Sequence, residues 1–319
     1  MMQVMTHRWT DDLLQLKNEN YDNCTECGVE FKKGEVAHLG FNQNDEPIQA
    51  CDKCTSNLKE TADRHSYSPR PYKAPGKESC LWRYMDFAKY VSLLSSNSMY
   101  FARADKLGDP FEGAKGLHSK KEKWNEPYLS FFRHTERNPS PPVKTAYSDD
   151  EIEENAQRRL AKREHRGKQA RKTTFINCWH ENDSESEAMW KLYSNFLDYA
   201  VAVKTTYLNL YESMGKKPHI YIGRVKYLDY KKDYAGVHEA FWRKRKSFEY
   251  EREVRAIVYD PECSEIGKYI DCNLEILLKR IYVSHTSPKW FHELVIETTK
   301  KYGINAPVKY SEIKESPFF

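Results

Sequence analysis

Two C-x-x-C pairs near the start constrain this chain more than any other feature. Cys24-Thr25-Glu26-Cys27 and Cys51-Asp52-Lys53-Cys54 are separated by 23 residues. Four thiolates on two such knuckles fall at tetrahedral corners, which suits Zn²⁺ in a closed, structural site. Gly28 follows the first pair, where a tight knuckle often needs a residue tolerant of positive φ. Residues 31–41 can supply a hairpin between the knuckles. The alternative is two disulfides in a secreted module. Against it stand residues 1–7, which lack an apolar signal core, and four scattered cysteines, Cys80, Cys178, Cys263 and Cys272. The spacing therefore predicts a zinc-ribbon-like module over residues 1–65, with Cys24, Cys27, Cys51 and Cys54 as ligands. Pro69, Pro71, Pro75 and Gly76 mark an extended linker over 66–78. Residues 79–319 remain for one large domain.

That domain has to build its core from aromatics. Hydrophobic residues are 39% of the chain and charged residues 31%, with a mean hydropathy of −0.85, a balance that leans toward disorder. The 22 Tyr, 14 Phe and 7 Trp oppose it, because each buried ring removes a large apolar area from water. No apolar run approaches the ~20 residues of a membrane span, so no membrane partner and a cytoplasmic location are expected.

A net charge of +4 does not specify a nucleic-acid partner; the distribution of charge says more. Ser148 can cap a helix over 149–172. It opens with Asp149, Asp150, Glu151, Glu153 and Glu154. It continues with Arg158, Arg159, Lys162, Arg163, Arg166, Lys168, Arg171 and Lys172, the order that suits a helix dipole. Its thin apolar stripe, Ile152, Ala156 and Leu160, predicts a solvated, charge-laced helix; the sharper reading is a basic arm facing phosphates.

Strand patterns fall at 81–84, 98–102, 174–180, 199–203, 219–225, 254–258, 279–284 and 306–310. Helical stripes fall at 87–96 behind an Asp86 cap, at 189–196 and at 288–302. Strands and helices are interspersed without regular βαβ alternation, so the predicted class is α+β with a mixed sheet. No G-x-G-x-x-G or Walker pattern occurs, which removes the common dinucleotide and P-loop readings.

Several residues are candidates for chemistry. If the segment 247–255 enters a strand, Glu251, Glu253 and Arg255 share one face. Arg83 sits among Leu81, Trp82 and Tyr84, where a guanidinium needs an anionic partner. Asp109 and Glu112 flank Pro110-Phe111. They could bind a metal, but a carboxylate beside proline more often holds the turn, with Arg103 as partner. Trp179, His180, Trp190 and Tyr193 could wall a pocket, although each taken alone is more often core.

Taken together, these phrases resemble a bacterial and phage domain family of formally unknown function, often found near defence genes. Its pattern reads here as Leu81 to Tyr84, Tyr100 to Gly113 with its DPFEG run, Cys178-Trp179 with Met189-Trp190 and Tyr193, Lys244 to Arg255, and Tyr282 to Trp290. A second resemblance supplies chemistry. Arg83 on an opening strand, a helix, Met99 to Ala102 and a late Glu251-x-Glu253 follow the order of ADP-ribosyltransferases. That resemblance implies an ADP-ribosyltransferase-like fold using NAD as substrate. Arg83 would hold the dinucleotide, Glu253 would stabilise an oxocarbenium-like ribose, and Glu251 would orient or deprotonate the acceptor. The implied cofactor site comprises Arg83, Tyr84, Arg103, Trp179, His180, Trp190 and Tyr193. Asn177-Cys178-Trp179-His180 stands where that fold carries Ser-Thr-Ser.

The leading expectation is a toxin or anti-phage defence effector that modifies RNA or DNA, with an antitoxin or regulatory protein as a further partner. Two alternatives stay open. One is a metal-dependent nuclease using Asp109, Glu112, Glu251 and Glu253, with His180 as base. The other is a non-enzymatic zinc-ribbon protein that binds nucleic acid or senses a nucleotide.

Overall fold

A computed structural model describes residues 3–4, 23–24, 26–31, 38–41, 47–54, 72–137, 147–193, 197–215, 219–235, 239–315 and 318. The expected prolines Pro69 and Pro71, the middle of the expected hairpin at 32–37 and the proline-rich stretch 138–146 lie outside these residues. The chain divides into two units, Met1–Pro71 and Tyr72–Phe319. No helix among the described residues is long and apolar enough to cross a membrane.

In the small unit, strands β1 (Gln3–Val4), β2 (His38–Phe41) and β3 (Pro47–Ala50) form an antiparallel sheet in that order. The first cysteine pair sits on a tight turn. Gly28 takes φ +71° and donates its N–H to the Cys24 carbonyl at 2.8 Å, and Cys24 donates to the Val29 carbonyl at 2.8 Å. A left-handed residue is required there, as the spacing predicts.

The large unit has the expected mixed α+β class. In chain order it runs β4 (Cys80–Asp86), α1 (Phe87–Ser96), β5 (Ser98–Arg103), α2 (Lys121–Arg137), α3 (Asp149–Thr173), β6 (Thr174–Glu181), α4 (Glu187–Tyr193), β7 (Ala200–Thr206) and α5 (Tyr207–Ser213). There follow β8 (Ile220–Arg224), β9 (Lys226–Leu228), β10 (Arg243–Arg245), β11 (Glu253–Tyr259), β12 (Gly267–Asp271), α6 (Leu274–Leu277), β13 (Arg280–Val283), α7 (Lys289–Lys301) and β14 (Val308–Tyr310). The main sheet is ordered β12-β5-β6-β4-β7-β13-β14, with β11 on the far edge of β6 and β8 beyond it. Its pairs are antiparallel except β13 with β14.

Period-2 alternation sorts the two faces. Leu81 and Met85 of β4, with Val201 and Val203 of β7, enter a core completed by Tyr90, Leu94, Phe291 and Val295 from α1 and α7. Trp82 and Tyr84, with Ala200 and Ala202, enter a second cluster with Met189, Trp190 and Tyr282. Asp86 caps α1 by accepting from Lys89 N, and Ser148 caps α3 in a reciprocal capping box with Glu151, both as expected.

Helix α2 has no counterpart in the sequence reading, because Pro127 in its middle interrupts the pattern. It packs on α3 through Leu129, Ala156 and Leu160. Ion pairs cross the hairpin from Arg133 to Glu153 at 2.6 Å and from Arg159 to Glu136 at 2.8 Å. The acidic start of α3 is thus matched by α2, whereas among the described residues no carboxylate of α2 pairs with Arg163, Arg166, Lys168, Arg171 or Lys172.

Two corrections concern local geometry. The segment 247–255 does not enter a strand whole: Lys246–Glu251 is a 3₁₀ helix, Arg252 takes φ +40°, and β11 begins only at Glu253. Glu251 therefore shares no strand face with Glu253. Arg103 is also not the partner of Asp109 or Glu112; it pairs with Asp105 at 2.7 Å.

Tyr72 stacks on Trp242 at 3.9 Å, and Gly223 of β8 lies directly under its ring. A Cβ at Gly223 would stand 1.9 Å from the Tyr72 ring, so the ring has to leave. Gly223→Ala should destabilise the large unit by about 1–3 kcal/mol in urea unfolding. The loss should shrink in a Tyr72→Ala background, and equal losses in both backgrounds would contradict this packing.

Candidate active site

The site begins with a gap in hydrogen bonding along β6. On one side β6 pairs with β11 from Thr174 to His180. On the other it pairs with β5 only at Phe175 and Ile176, and with β4 only at His180 and Glu181. Residues 177–179 have no strand partner on that side, because β4 and β5 diverge around α1. Their backbone groups still need partners. Arg83 of β4 donates Nη1 to the Cys178 carbonyl at 2.7 Å, and Asn177 donates Nδ2 to the Tyr100 carbonyl at 2.8 Å. Asn177 also accepts from Trp179 Nε1 at 2.7 Å. The side chains of Arg83 and Asn177 therefore bridge the split.

A cavity of about 500 Å³ opens through this gap. Arg83, Tyr84, Trp179, His180 and Tyr193 line it, as do Glu251 and Glu253. Among the expected site residues, Trp190 and Arg103 do not. Trp190 stands behind Tyr84 in an edge contact at 5.0 Å, and Arg103 is tied to Asp105 and to the Ser264 carbonyl.

Arg83 meets a carbonyl and, at 5.9 Å, the Trp179 ring, but no carboxylate among the described residues. Burial lowers its pKa from the usual arginine value, yet a guanidinium stays charged in proteins. A desolvated cation without a counter-ion is poised to take an anion.

The carboxylate wall has the opposite character. Arg255, 1% exposed, donates Nε to Glu253 at 2.7 Å and Nη2 to Glu253 at 3.1 Å. It binds Glu112 through both Nη atoms and the Phe241 carbonyl at 2.7 Å. Lys244 bridges the acidic pair, bonding Glu251 very closely and Glu253 at 3.3 Å. Three carboxylates (Glu112, Glu251, Glu253) meet two cations (Lys244, Arg255), so the fully ionised cluster carries one excess negative charge.

The two site carboxylates diverge in pKa. Burial raises that of Glu253, but Arg255 and Lys244 outweigh it and bring it down to about 2. Burial keeps Glu251 above its ordinary 4.5 despite Lys244. The Tyr193 hydroxyl bonds Glu251, and the Cys178 thiol bonds Glu253. His180 directs Nδ1 at the Glu251 carbonyl at 2.6 Å, which makes Nδ1 the protonated nitrogen; Nε2 is buried without a partner.

Lys244, Glu112 and Arg255 as a clamp on Glu253 were not foreseen. The available signal was the run Arg243-Lys244-Arg245 placed just before an acidic run that enters a buried strand. Asp109 is held by Arg245 at 2.8 Å and accepts from Phe111 N at 3.0 Å, which secures the turn. Asp109, Glu112, Glu251 and Glu253 already spend oxygens on Arg245, Arg255 and Lys244, which leaves them poor donors for a cation. Among the described residues, the group that can hold a metal is Cys24, Cys27, Cys51 and Cys54, whose sulfurs all lie within 4.8 Å of one another.

No protein-family model matches the chain, and no curated protein matches it. Solved structures of DarT from Thermus sp. 2.9 show a loose likeness. The complex with NAD+ aligns over 76% of this chain and 100% of its own, at 8% identity and a TM-score of 0.35. The complex with ADP-ribosylated ssDNA covers 76% and 97%, at 9% identity and a TM-score of 0.34. The complex with carba-NAD+ covers 75% and 97%, at 8% identity and a TM-score of 0.34.

Lys244→Met tests the network. Glu251 has a raised pKa, so its contribution to stability is present below 4.5 and is lost as pH rises through its folded-state value. Without Lys244 that value rises further. The stability deficit of the variant should therefore widen as pH rises above 4.5, where thermal unfolding can follow it. A deficit independent of pH would contradict the arrangement.

Proposed function

We propose that this chain is an NAD-dependent ADP-ribosyltransferase that modifies nucleic acid, a toxin or defence effector whose cysteine module holds one structural zinc. One observation carries the reading. A single cavity joins an arginine with no counter-anion to a carboxylate held ionised and a neighbouring carboxylate of raised pKa. A dinucleotide needs that combination: a cation for its pyrophosphate, and an anion where positive charge develops.

In this reading Arg83 takes a phosphate oxygen through donors that the Cys178 carbonyl leaves free. Tyr84, Trp179 and His180 enclose the nicotinamide end. As the glycosidic bond breaks, its electron pair leaves with neutral nicotinamide, and C1′ of the ribose becomes oxocarbenium-like. Glu253 faces that charge and, at a pKa near 2, never needs to lose a proton first. An acceptor oxygen or nitrogen bonds to C1′ and passes its proton to Glu251. Stabilising a charge that exists only in the transition state lowers the barrier rather than tightening the ground state.

The nucleic-acid acceptor is supported by the basic end of α3 and by the cysteine module. Zinc fits that module. Thiolates at about 2.3 Å from a tetrahedral zinc stand about 3.8 Å apart. Cys27 and Cys51 Sγ are 3.8 Å apart. Burial raises the Cys24 pKa, but N–H groups of Cys51, Cys27 and Glu26 draw it down to about 6, whereas the hydrogen bond with Cys27 pushes Cys54 up to about 12, so holding all four as thiolates needs a cation.

Incubation with labelled NAD and DNA or RNA should label the nucleic acid and release nicotinamide. Glu253→Gln should lose about 10²–10³-fold in rate while keeping its fold by circular dichroism, with a lower thermal midpoint because Arg255 and Lys244 lose an ionised partner. The rate should fall as pH drops through the raised pKa of Glu251, because the base must be unprotonated to accept, and Glu251→Gln should flatten that limb. No nicotinamide from any mixture would overturn the transferase reading. Metal analysis of the purified protein should find one zinc per chain, lost in Cys24→Ser together with Cys51→Ser; a metal-free wild type would refute the zinc assignment.

A further inference from the structure

Helix α3 carries a second unsatisfied arrangement, away from the cavity. Arg163, Gly167 and Arg171 are four residues apart and form one stripe on the helix. Gly167 leaves a notch, and the Lys115 side chain lies in it. A Cβ at Gly167 would stand 3.7 Å from Lys115 Cε and 3.8 Å from its Nζ. Three cations thus line about 12 Å of helix. Burial first, and then Arg163, lowers the pKa of Lys115, with Glu164 acting against them.

The neighbouring carboxylates are already engaged. Glu164 accepts from Lys121 at 2.9 Å and from Asn125 at 3.1 Å, and Glu239 pairs with Arg243. Arg163 lies 3.7 Å over the Tyr128 ring, which fixes its plane. The Nε atoms of Arg163 and Arg171 are buried without partners, as is the indole Nε1 of Trp124 beside Gly116. None of Lys115, Arg163 and Arg171 has an ion-pair partner among the described residues. Crowded cations with unmet N–H donors are costly unless an anion sits beside them; Lys115 fills the notch, so that anion lies over the stripe.

The geometry points to a phosphate site formed by Lys115, Arg163 and Arg171 that takes the backbone of a nucleic-acid strand. This deepens the nucleic-acid part of the proposed function and rests on it. A polyanion suits the site better than a lone phosphate, because Lys162, Arg166, Lys168 and Lys172 are exposed along the same half of α3 and can meet successive phosphates. Such interactions position a strand without reading its sequence. The notch is also joined to the catalytic wall: Glu112, three residues before Lys115, clamps the arginine that holds Glu253.

The test is binding of a fluorescein-labelled single-stranded oligonucleotide to the full chain without NAD, followed by anisotropy. Between about 50 and 200 mM salt, Arg163→Gln with Arg171→Gln should weaken binding of every sequence alike. The slope of log K against log salt should become shallower by about 1.4, at about 0.7 for each phosphate that is no longer neutralised. Lys115→Met should weaken binding in the same way and raise Tm, because it relieves repulsion; a merely structural lysine would lower Tm when removed. An unchanged slope in the double variant would overturn the site. Displacement of the oligonucleotide by inorganic phosphate, but not by chloride of equal ionic strength, would make it a free-anion site and overturn the strand assignment. Because NAD is absent, a wild type that releases no nicotinamide leaves this result standing, and an unchanged slope leaves the transferase reading standing.

Discussion

The large unit depends on the guanidinium of Arg255. It is almost fully buried and spends its donors on Glu112, Glu253 and the Phe241 carbonyl. Those partners come from three separated parts of the chain: the turn after β5, the start of β11 and the 3₁₀ segment before β10. A buried ion pair is weak evidence for stability, because desolvation offsets much of the attraction. Its value lies in specification. A planar fork with fixed donor directions accepts carboxylates only in a defined geometry, so Glu253 is locked in orientation as well as in charge. Lys244 then carries that order to Glu251 across the turn at Arg252, where backbone alternation no longer could.

A second constraint makes the site hollow. Were β4 and β5 to pair along β6 without a break, residues 177–179 would be satisfied by backbone, and no space would remain. Their divergence around α1 leaves three residues of strand edge without a strand partner; Arg83 meets the Cys178 carbonyl, and Asn177 reaches across to the Tyr100 carbonyl of β5. Arg83 gives one hydrogen bond to a neutral carbonyl and keeps the rest of its fork. The same break in the ladder therefore creates the volume and leaves a charged group inside it.

Much of this was legible in the sequence, and the parts that were not share a cause. The strands around Leu81–Tyr84 and Thr174–His180, the Asp86 and Ser148 caps and the left-handed Gly28 follow from local periodicity and turn chemistry, and each is observed. So is the gathering of the four cysteines. What local pattern could not reveal is pairing across the chain. Glu112 and Arg255 are 143 residues apart, and nothing in the DPFEG turn names its partner. Asp109 and Glu112 were matched to Arg103 because it is near in sequence, yet Asp105 is nearer and takes it. The E-x-E motif read as a strand because alternation is the simplest assumption; a single non-glycine residue at positive φ breaks it. Helix α2 went unseen because a proline within it mimics a boundary.

The charge pattern of the folded unit argues for a divided role. The turn from Asp109 to Gly116 touches two imbalances of opposite sign. At one end Glu112 belongs to a cluster with one carboxylate too many; at the other Lys115 belongs to a stripe of cations with no carboxylate of their own. One substitution to a neutral residue would remove the excess in the acidic cluster and lessen that in the stripe, and both would then cost less to bury. Their placement on one short turn suits a reaction between partners of opposite local charge. In the proposed reaction, a ribose that turns cationic would lie against the acidic cluster, and a polyanionic acceptor would be held at the basic one. A fold selected for stability alone would have neutralised both. The surplus negative charge beside Glu253 and the surplus positive charge beside Gly167 are therefore best explained by ligands that complete them.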